Sequence, residues 1–299
     1  MGYHEAVLIK ESIAGLRIDP NGTYVDVTFG GGGHSKSILE KLDKGTLFAF
    51  DQDTDAQKNS IDDNRFVLIN QNFRFMQKFL RLEGVLKVDG ILADLGVSSY
   101  QFDTAERGFS IREEGELDMR MNTTQELSAK QVVNEYELDD LCRIFREYGE
   151  LKNAYSLAKS ILSARENGEI LTTEDLKEAV KKHVPPHKSN KILAQLFQAI
   201  RIEVNDELKA LKEMLLQSVD LLKEGGRLSV ISYHSLEDRL VKNLIKSGNF
   251  KGEIEKDFYG VPKVILKAIS KKPITASEEE LESNPRSRSA KLRVSEKLA

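Results

Sequence analysis

Short apolar runs alternate with amphipathic segments between residues 23 and 96 of the chain. Four runs have the length of a strand and are rich in valine, isoleucine, leucine and phenylalanine: TYVDVTF, TLFAFD, FVLINQNF and VDGILADLG. Segments with the apolar spacing of a helix lie between them, such as HSKSILEKL and RFMQKFLRLEG. Apolar strands that alternate with helices are typical of a parallel sheet with crossover connections. The pattern therefore predicts an α/β fold.

The pattern changes at about residue 124, where helical segments follow one another with no strand between them. SAKQVVNEYELDDLCRIFREYG opens with a capping box of Ser128 and Gln131, and TTEDLKEAVKKHV opens with one of Thr172 and Asp175. We interpret this block as a helical insertion.

The α/β pattern returns near residue 226 with GGRLSVISYHS. Two alternating runs, VPKVILKAIS and SAKLRVSEK, then have the pattern of late strands that pair with each other. We predict a discontinuous sheet domain over 1–108 and 212–299, interrupted by a helical domain over 109–211.

Composition limits the classes of protein that fit. Apolar residues make up 40% of the 299 residues and charged residues 31%, the balance of a globular protein with a real core. The net charge of −4 argues against indiscriminate coating of nucleic acid. No apolar run approaches the ~20 residues that a bilayer needs, and MGYHEAVLIKESI lacks the features of a secretory signal. We expect a cytoplasmic protein without a membrane partner.

Cysteine and histidine give no sign of a metal centre. The single cysteine, Cys142, excludes an internal disulfide, and its helical surroundings predict a buried core position. The nearest histidine pair, His183 and His187, is split by Pro185 and Pro186, which forbids one helical face for both rings. We predict no metal site.

Four consecutive glycines follow the first apolar run, in TYVDVTFGGGGHSKSIL. They lie where a ligand approaches the carboxyl ends of the strands in an open α/β sheet, and they let the backbone turn sharply and come close to it. Asp51 ends the next strand. In nucleoside-binding folds, an acidic residue at this position accepts hydrogen bonds from the ribose diol.

The glycines do not fit a dinucleotide. The spacing G-x-G-x-x-G is not met, because the last position falls on Ser35 or Lys36. A nucleoside without phosphates fits better, and S-adenosylmethionine is the obvious candidate, with its amino-acid end against the glycine turn and Asp26. The pattern favours a methyltransferase over a nicotinamide enzyme, and a glycine loop without a ligand stays an alternative.

Asp94 ends the fourth apolar run and precedes a Gly-Val-Ser-Ser loop, where a transferred methyl group would meet its acceptor. Taken alone, an Asp-Leu-Gly at this point favours the alternative that Asp94 caps the next turn.

Several motifs, in order, resemble the bacterial ribosomal RNA small-subunit methyltransferase H family. They are TFGGGGHS, FDQD, DGILADLGVSS, ERGFS, LDMRM, FQAIRIEVNDEL, GGRLSVISYHSLEDR and NPRSRSAKLR. The resemblance runs from about residue 3 to residue 297. It implies a Rossmann-like, S-adenosylmethionine-dependent sheet domain interrupted by a helical domain. It also implies methylation of N4 of a cytidine in the decoding centre of 16S ribosomal RNA, within the small subunit.

The resemblance also implies the contacts of the cofactor. Carried over to this sequence, they fall on Gly32, Gly33, His34, Asp51, Phe73, Asp94 and Gln101. His34 would face the methionine end of the cofactor, and Phe73 would pack on the adenine ring.

For the reaction itself, we expect Asp94, Ser98 and Ser99 to hold the target amine beside the methyl group. His234 is expected to line the pocket, although a structural hydrogen bond within its loop is an alternative, and Glu237 and Asp238 are alternatively caps of the next helix.

Two basic regions are candidates for RNA binding, the insertion and the carboxyl-terminal segment. We single out Arg201, Lys191, Arg286, Arg288 and Lys291. Taken alone, such clusters are more often solvated faces than phosphate sites. A homodimer is left open.

The sequence departs from the family pattern at three places. Tyr100 replaces a usual proline, Tyr233 replaces a usual phenylalanine, and HKSNKILAQLFQAIR lacks the usual His-Pro-Ala. Two other classes of function stay in view: a nicotinamide oxidoreductase and a non-catalytic ribosome-assembly factor.

Overall fold

The structure, a computed structural model, describes residues 6–256, 258–260 and 264–299. The strands are β1 (Thr23–Asp26), β2 (Thr46–Phe50), β3 (Phe66–Ile69), β4 (Val88–Asp94), β5 (Leu222–Ser232), β6 (Leu266–Ala268) and β7 (Lys291–Lys297). The helices are α1 (Ile9–Leu16), α2 (Gly33–Leu39), α3 (Met76–Leu82), α4 (Ser99–Asp103), α5 (Ala129–Glu135), α6 (Leu138–Glu147), α7 (Ala154–Arg165), α8 (Thr173–Val180), α9 (Ser189–Asn205), α10 (Glu207–Leu221), α11 (Ser235–Ser247) and α12 (Glu278–Ser283). None of the described helices is long and apolar enough to cross a bilayer.

The strands form one sheet in the order β3-β2-β1-β4-β5-β7-β6. Strands β1 to β5 are parallel, and β7 pairs antiparallel with both β5 and β6. The predicted α/β fold is confirmed, and so is the pairing of the two late runs, although residues 261–263 of VPKVILKAIS lie outside the described residues. Because β2 and β4 flank β1 on opposite sides, the switch point where such sheets bind ligands lies between β1 and β4.

The chain divides into two compact units. The sheet unit comprises Met1–Gly96 and Leu208–Ala299, and the helical unit comprises Val97–Glu207. The boundaries predicted from sequence, after residues 108 and 211, fall later. Residues 97–128 lack helical periodicity, but Phe109, Leu117 and Met119 belong to the apolar core of the helical unit.

The inner strands β1, β2 and β4 are buried on both faces. Tyr24 points into a cluster with Leu16 of α1 and Ile38 of α2. Its neighbour Val25 points the opposite way, into a cluster with Met214 of α10. Two-sided burial explains why these strands are continuous apolar runs rather than alternating ones.

The helical unit has its own core, to which α5, α6, α7, α8 and α9 contribute. The capping boxes of Ser128 with Gln131 and of Thr172 with Asp175 are both present. Cys142 is buried, as predicted.

Asn205 joins the end of α9 to the loop around residue 120. Its Oδ1 accepts a hydrogen bond from Met121 N at 2.7 Å, and its Nδ2 donates to Met119 O at 2.8 Å. The side chain is 6% exposed. This buried amide therefore holds the loop together with Arg107, whose guanidinium donates to Arg120 O at 2.8 Å.

We expect Asn205→Ala to reduce the free energy of unfolding by about 2–3 kcal/mol, because it leaves a buried N–H and a buried carbonyl without partners. Urea unfolding measures the change. Asn167→Ala is the matched control, since the exposed Asn167 bonds only Ser163 O one turn earlier, and it should change stability by less than about 0.5 kcal/mol. Equal effects of the two changes would contradict this account.

Candidate active site

The glycine run forms a turn between β1 and α2. Gly30 and Gly32 have φ angles of 52° and 78°, in the left-handed region, and Gly32 is the residue before the first turn of α2. At Gly33 a Cβ would lie 2.9 Å from the Cβ of Ala6. A side chain would strain the backbone at Gly30 and Gly32 and collide at Gly33, which explains three of the four glycines.

Asp51 follows β2 and holds this turn. Its Oδ2 accepts a hydrogen bond from Gly30 N at 2.8 Å, and its Oδ1 accepts one from Asp53 N at 2.9 Å. Burial raises the pKa of Asp51 to about 6, although these two bonds oppose the rise. Each carboxylate oxygen can accept a further bond, so the group fits the diol of a ribose.

Asp26 ends β1 beneath the turn. Its side chain has no exposed surface, and it accepts hydrogen bonds from Ser35 Oγ at 2.7 Å and from Thr28 N at 3.1 Å. Burial raises its pKa. We expected Asp26 to contact the amino-acid end of a cofactor directly. In this structure its carboxylate is fully buried and bonds Ser35 and Thr28 of the turn, so it is not accessible for that contact.

Asp94 ends β4, and its main chain and side chain are both held. Its N–H donates to Thr28 Oγ1 at 2.6 Å, and its Oδ1 accepts a hydrogen bond from Tyr233 OH at 2.7 Å. The side chain is 22% exposed. A carboxylate that is fixed but still reaches the surface is suited to contact a ligand.

Burial raises the pKa of Asp94 to about 6. The nearby His34 and the bond from Tyr233 oppose this rise, while the charges of Asp26 and Glu237 add to it. Such a strongly shifted carboxyl group at the end of a strand is typical of a functional site.

His34 is the second residue of α2, and its ring is 5% exposed. Nε2 lies 3.1 Å from Val7 O, and Nδ1 lies 3.8 Å from Asp94 Oδ2. The ring therefore packs between a main-chain carbonyl and Asp94. Its expected contact with a cofactor stays a prediction.

Phe73 opens a single 3-10 turn after β3. It is partly buried and packs against the apolar cluster on the α10 side of the sheet. One part of the ring thus belongs to the core, and its stacking on adenine stays a prediction.

Ser98, Ser99 and Gln101 belong to the helical unit. Ser98 caps α4, its Oγ accepting from Gln101 N, while the Gln101 side chain accepts from Ser98 N at 3.0 Å. Ser99 is the first residue of α4. Two of the three predicted site residues thus form a capping box, and their roles towards cofactor and substrate stay predictions.

His234 caps α11 and forms a capping box with Glu237. Glu237 N donates to His234 Nδ1 at 3.5 Å, and the ring's Nε2 lies 3.2 Å from Glu237 Oε1. The capping alternative for Glu237 is confirmed. Asp238 does not cap, because it pairs with Arg293 at 2.7 Å. A contact of His234 with the nucleotide stays a prediction.

The residues singled out for RNA binding differ in exposure. Arg201 is 17% exposed, and its guanidinium forms an ion pair with Glu207 of the same unit at 2.8 Å. Lys191 and Arg288 are exposed, whereas Arg286 and Lys291 are partly buried. Of the five, Lys191 and Arg288 have the exposure that a phosphate contact requires.

The carboxyl ends of β1, β2 and β4 thus gather a glycine turn and two partly exposed carboxylates at the switch point. Asp51 fits a ribose, the turn admits close approach, and Asp94 lies at the end of the neighbouring strand. This combination of fold and site defines the class of Rossmann-like methyltransferases.

Comparison with known proteins agrees with this class. The sequence model of the MraW methylase family matches residues 1–298, and the chain belongs to that family. The cofactor is accordingly S-adenosylmethionine, which supplies an electrophilic methyl group.

Two curated relatives are both called ribosomal RNA small subunit methyltransferase H. The one from Flavobacterium johnsoniae is 60% identical, over 100% of this chain and 99% of the relative. The one from Flavobacterium psychrophilum is 58% identical, over 97% of this chain and 100% of the relative. Among solved structures, an rRNA methylase from Streptococcus thermophilus is 12% identical with a TM-score of 0.40, and the match covers 97% of this chain and 93% of that one.

Sequence reasoning missed the contacts around Asp94. Tyr233 stands 139 positions away from it along the chain, and the two side chains meet only because β5 pairs with β4. The order of the motifs along the chain does not give the order of the strands in the sheet, so this pairing was not predicted. The bond itself was not predicted either, because no local pattern marks which side chain turns towards Asp94.

We expect Asp94→Asn to raise the free energy of unfolding by about 1–2 kcal/mol at pH 7.5. The pKa of about 6 in the folded state lies above the ~3.9 of an unfolded aspartate. The folded state therefore binds more protons between these values, and the group's contribution to stability falls as the pH rises from about 4 to about 6. The uncharged amide escapes this loss, so the gain should vanish near pH 4. Urea unfolding at both pH values measures it.

Asp63→Asn is the control with the opposite sign. Hydrogen bonds from Arg65 hold the pKa of Asp63 down at about 2, so this carboxylate is stabilising above the unfolded value. Its replacement should lower stability at pH 7.5. A loss of stability for Asp94→Asn at pH 7.5 would contradict the conclusion that burial of ionised Asp94 destabilises the folded state.

Proposed function

We propose that the protein transfers a methyl group from S-adenosylmethionine to N4 of a specific cytidine in the decoding centre of 16S ribosomal RNA. The observation that carries the proposal is Asp94 at the end of β4: Thr28 holds its main chain, Tyr233 holds its carboxylate, and the side chain is partly exposed. The names of the curated relatives support ribosomal RNA of the small subunit as the substrate. The resemblance of the motifs supports cytidine N4.

In this proposal the sheet unit holds the cofactor. Asp51 accepts hydrogen bonds from the ribose, the backbone of Gly32 and Gly33 lies against the methionine end, and Phe73 contacts the adenine. Support comes from the left-handed Gly32, the free acceptor capacity of Asp51, and the position of Phe73 directly after β3.

Asp94 orients the amine of the target base. An exocyclic amine of cytosine delocalises its lone pair into the ring, so it is a poor nucleophile unless a group accepts one of its N–H bonds and aligns the nitrogen. Positioning of this kind contributes up to ~7–11 kcal/mol in favourable intramolecular cases. A fixed carboxylate oxygen is a suitable acceptor for the N–H.

A base within a folded RNA must leave its stack to reach such a site. Basic side chains then hold the surrounding phosphates. Lys191 in the helical unit and Arg288 in the sheet unit are the exposed members of the predicted set, and we propose phosphate contacts for both.

The reaction is tested with labelled S-adenosylmethionine and small ribosomal subunits that lack the modification, with naked 16S RNA in parallel. We expect nucleoside mass spectrometry to find N4-methylcytidine at one position of the subunit RNA. Label on another nucleoside would contradict the cytosine assignment. Cofactor binding without any transfer would favour the assembly-factor alternative.

Asp94→Ala is the catalytic control in this assay. At saturating cofactor we expect its kcat to fall by roughly 100-fold or more, as positioning of the amine is lost. Asp89→Ala removes an aspartate of the same strand whose side chain bonds Thr23 N and Lys223 instead, and it should retain turnover. Full turnover of Asp94→Ala would remove its catalytic role.

We expect Asp51→Ala to weaken binding of S-adenosylhomocysteine about 10- to 100-fold, because hydrogen bonds to a charged acceptor contribute ~1.5–3 kcal/mol. Isothermal titration calorimetry measures the affinity. Asp55→Ala, which removes a nearby carboxylate paired with Lys58, is the matched control and should bind normally. Stabilisation of the native chain by NAD instead of S-adenosylhomocysteine would favour the nicotinamide alternative.

A further inference from the structure

A chain of polar groups runs through the sheet unit at Asp94. Tyr233 OH donates to Asp94 Oδ1 at 2.7 Å, Asp94 Oδ2 lies 3.8 Å from His34 Nδ1, and His34 Nε2 lies 3.1 Å from Val7 O. The His34 ring is 5% exposed, so it meets these groups and little solvent.

The carbonyl of Val7 determines the tautomer of His34. A carbonyl oxygen only accepts hydrogen bonds, so the nitrogen that faces it, Nε2, carries the hydrogen. In the neutral ring Nδ1 then has a lone pair, which points towards Asp94 Oδ2. When Asp94 is ionised, two acceptor atoms face each other across 3.8 Å with no proton between them.

We propose that His34 and Asp94 act as a pair that takes up one proton, the proton that the target amine loses, and that Tyr233 is the residue that positions Asp94 for this step. The inference rests on the proposed methyl transfer and adds to it the destination of the proton. Tyr233 acts through Asp94 and does not itself meet the substrate in this scheme.

A bond forms between the amine nitrogen and the methyl carbon, while the carbon–sulfur bond breaks and its electron pair stays on sulfur. One N–H bond of the nitrogen breaks, its electron pair stays on nitrogen, and the proton moves to Asp94 Oδ2. The proton stays on the pair, whose net charge changes from −1 to neutral.

The surroundings of the pair favour uptake of a proton. Burial raises the pKa of Asp94 to about 6, against the opposing effects of His34 and of the Tyr233 hydrogen bond. The buried Asp26 and Glu237 add negative charge nearby and contribute to the rise. Burial and the neighbouring carboxylates of Asp94, Glu237 and Glu280 raise the pKa of Tyr233, so its hydroxyl stays protonated and donates throughout.

The first test uses the cofactor-free protein and needs no substrate. Nuclear magnetic resonance of ¹⁵N-histidine and ¹³C-aspartate labels reports the His34 tautomer and the ionisation of Asp94, and His34→Gln and Asp94→Asn assign the signals. We expect a hydrogen on Nε2 when Asp94 is ionised, and a change in the His34 signals as Asp94 takes up its proton. In His34→Gln we expect the Asp94 step to shift by at least about half a pH unit, because the ring nitrogen that faces Oδ2 is removed.

A hydrogen on Nδ1 at high pH, or an Asp94 step that His34→Gln leaves in place, would overturn the pair. Either result is obtained without methyl transfer, so it tests the pair independently of the proposed function. If the pair is found but no N4-methylcytidine forms on the subunit, the proposed function fails and the inference about the proton fails with it.

The second test is the pH dependence of single-turnover methyl transfer at saturating cofactor in Tyr233→Phe. This change removes the hydroxyl that stabilises ionised Asp94, so the pKa of Asp94 rises and the acidic limb of the profile should move up by about one pH unit. Above that limb the rate should recover to within a few-fold of the native chain.

Tyr24→Phe is the matched control. It also removes a buried tyrosine hydroxyl, but one that accepts a hydrogen bond from Asp19 N at 2.7 Å. It should leave the acidic limb unchanged. A profile of Tyr233→Phe that coincides with that of Tyr24→Phe would overturn the positioning role of Tyr233.

Discussion

The buried carboxylate of Asp26 is the constraint on which the site depends. It has no exposed surface, and it accepts hydrogen bonds from Ser35 Oγ and from Thr28 N. Thr28 Oγ1 in turn accepts from Asp94 N. One buried group therefore joins the end of β1 to the first turn of α2 and to the end of β4. A buried acidic group without these partners would be strongly destabilising, so the strand ends have little freedom to move apart.

The same arrangement places acidic groups close together at one edge of the sheet. The charge of Asp26 contributes to the raised pKa of both Asp51 and Asp94. This gathering is unfavourable for folding, because like charges are brought together and removed from water. The apolar layers on both faces of β1, β2 and β4 stabilise the sheet against it. Functional sites commonly destabilise the folded state, and the packing of the core compensates for that loss.

The features predictable from sequence are those that local patterns encode. The runs of β1 to β5, the glycine turn, and the positions of Asp51 and Asp94 after their strands all follow from periodicity and turn chemistry. Side-chain contacts between distant segments carry no such signal. The bond of Tyr233 to Asp94 and the pairing of Asp238 with Arg293 arise from strand pairing and helix packing, and so lie beyond local patterns. The start of the helical unit was missed for a related reason, because residues 97–128 pack without helical periodicity.

The cap of α11 and the orientation of Asp94 are parts of one structure. Tyr233 and His234 are consecutive, yet the tyrosine side chain bonds Asp94 while the histidine caps the helix. Glu237 connects the two functions, since its Oε2 accepts hydrogen bonds from Tyr233 N at 2.9 Å and from His234 N at 3.3 Å. Because a helix cap holds the main chain of Tyr233, its hydroxyl is fixed relative to the sheet rather than carried on a mobile loop. A residue that positions a carboxylate requires this rigidity, and the capping box supplies it.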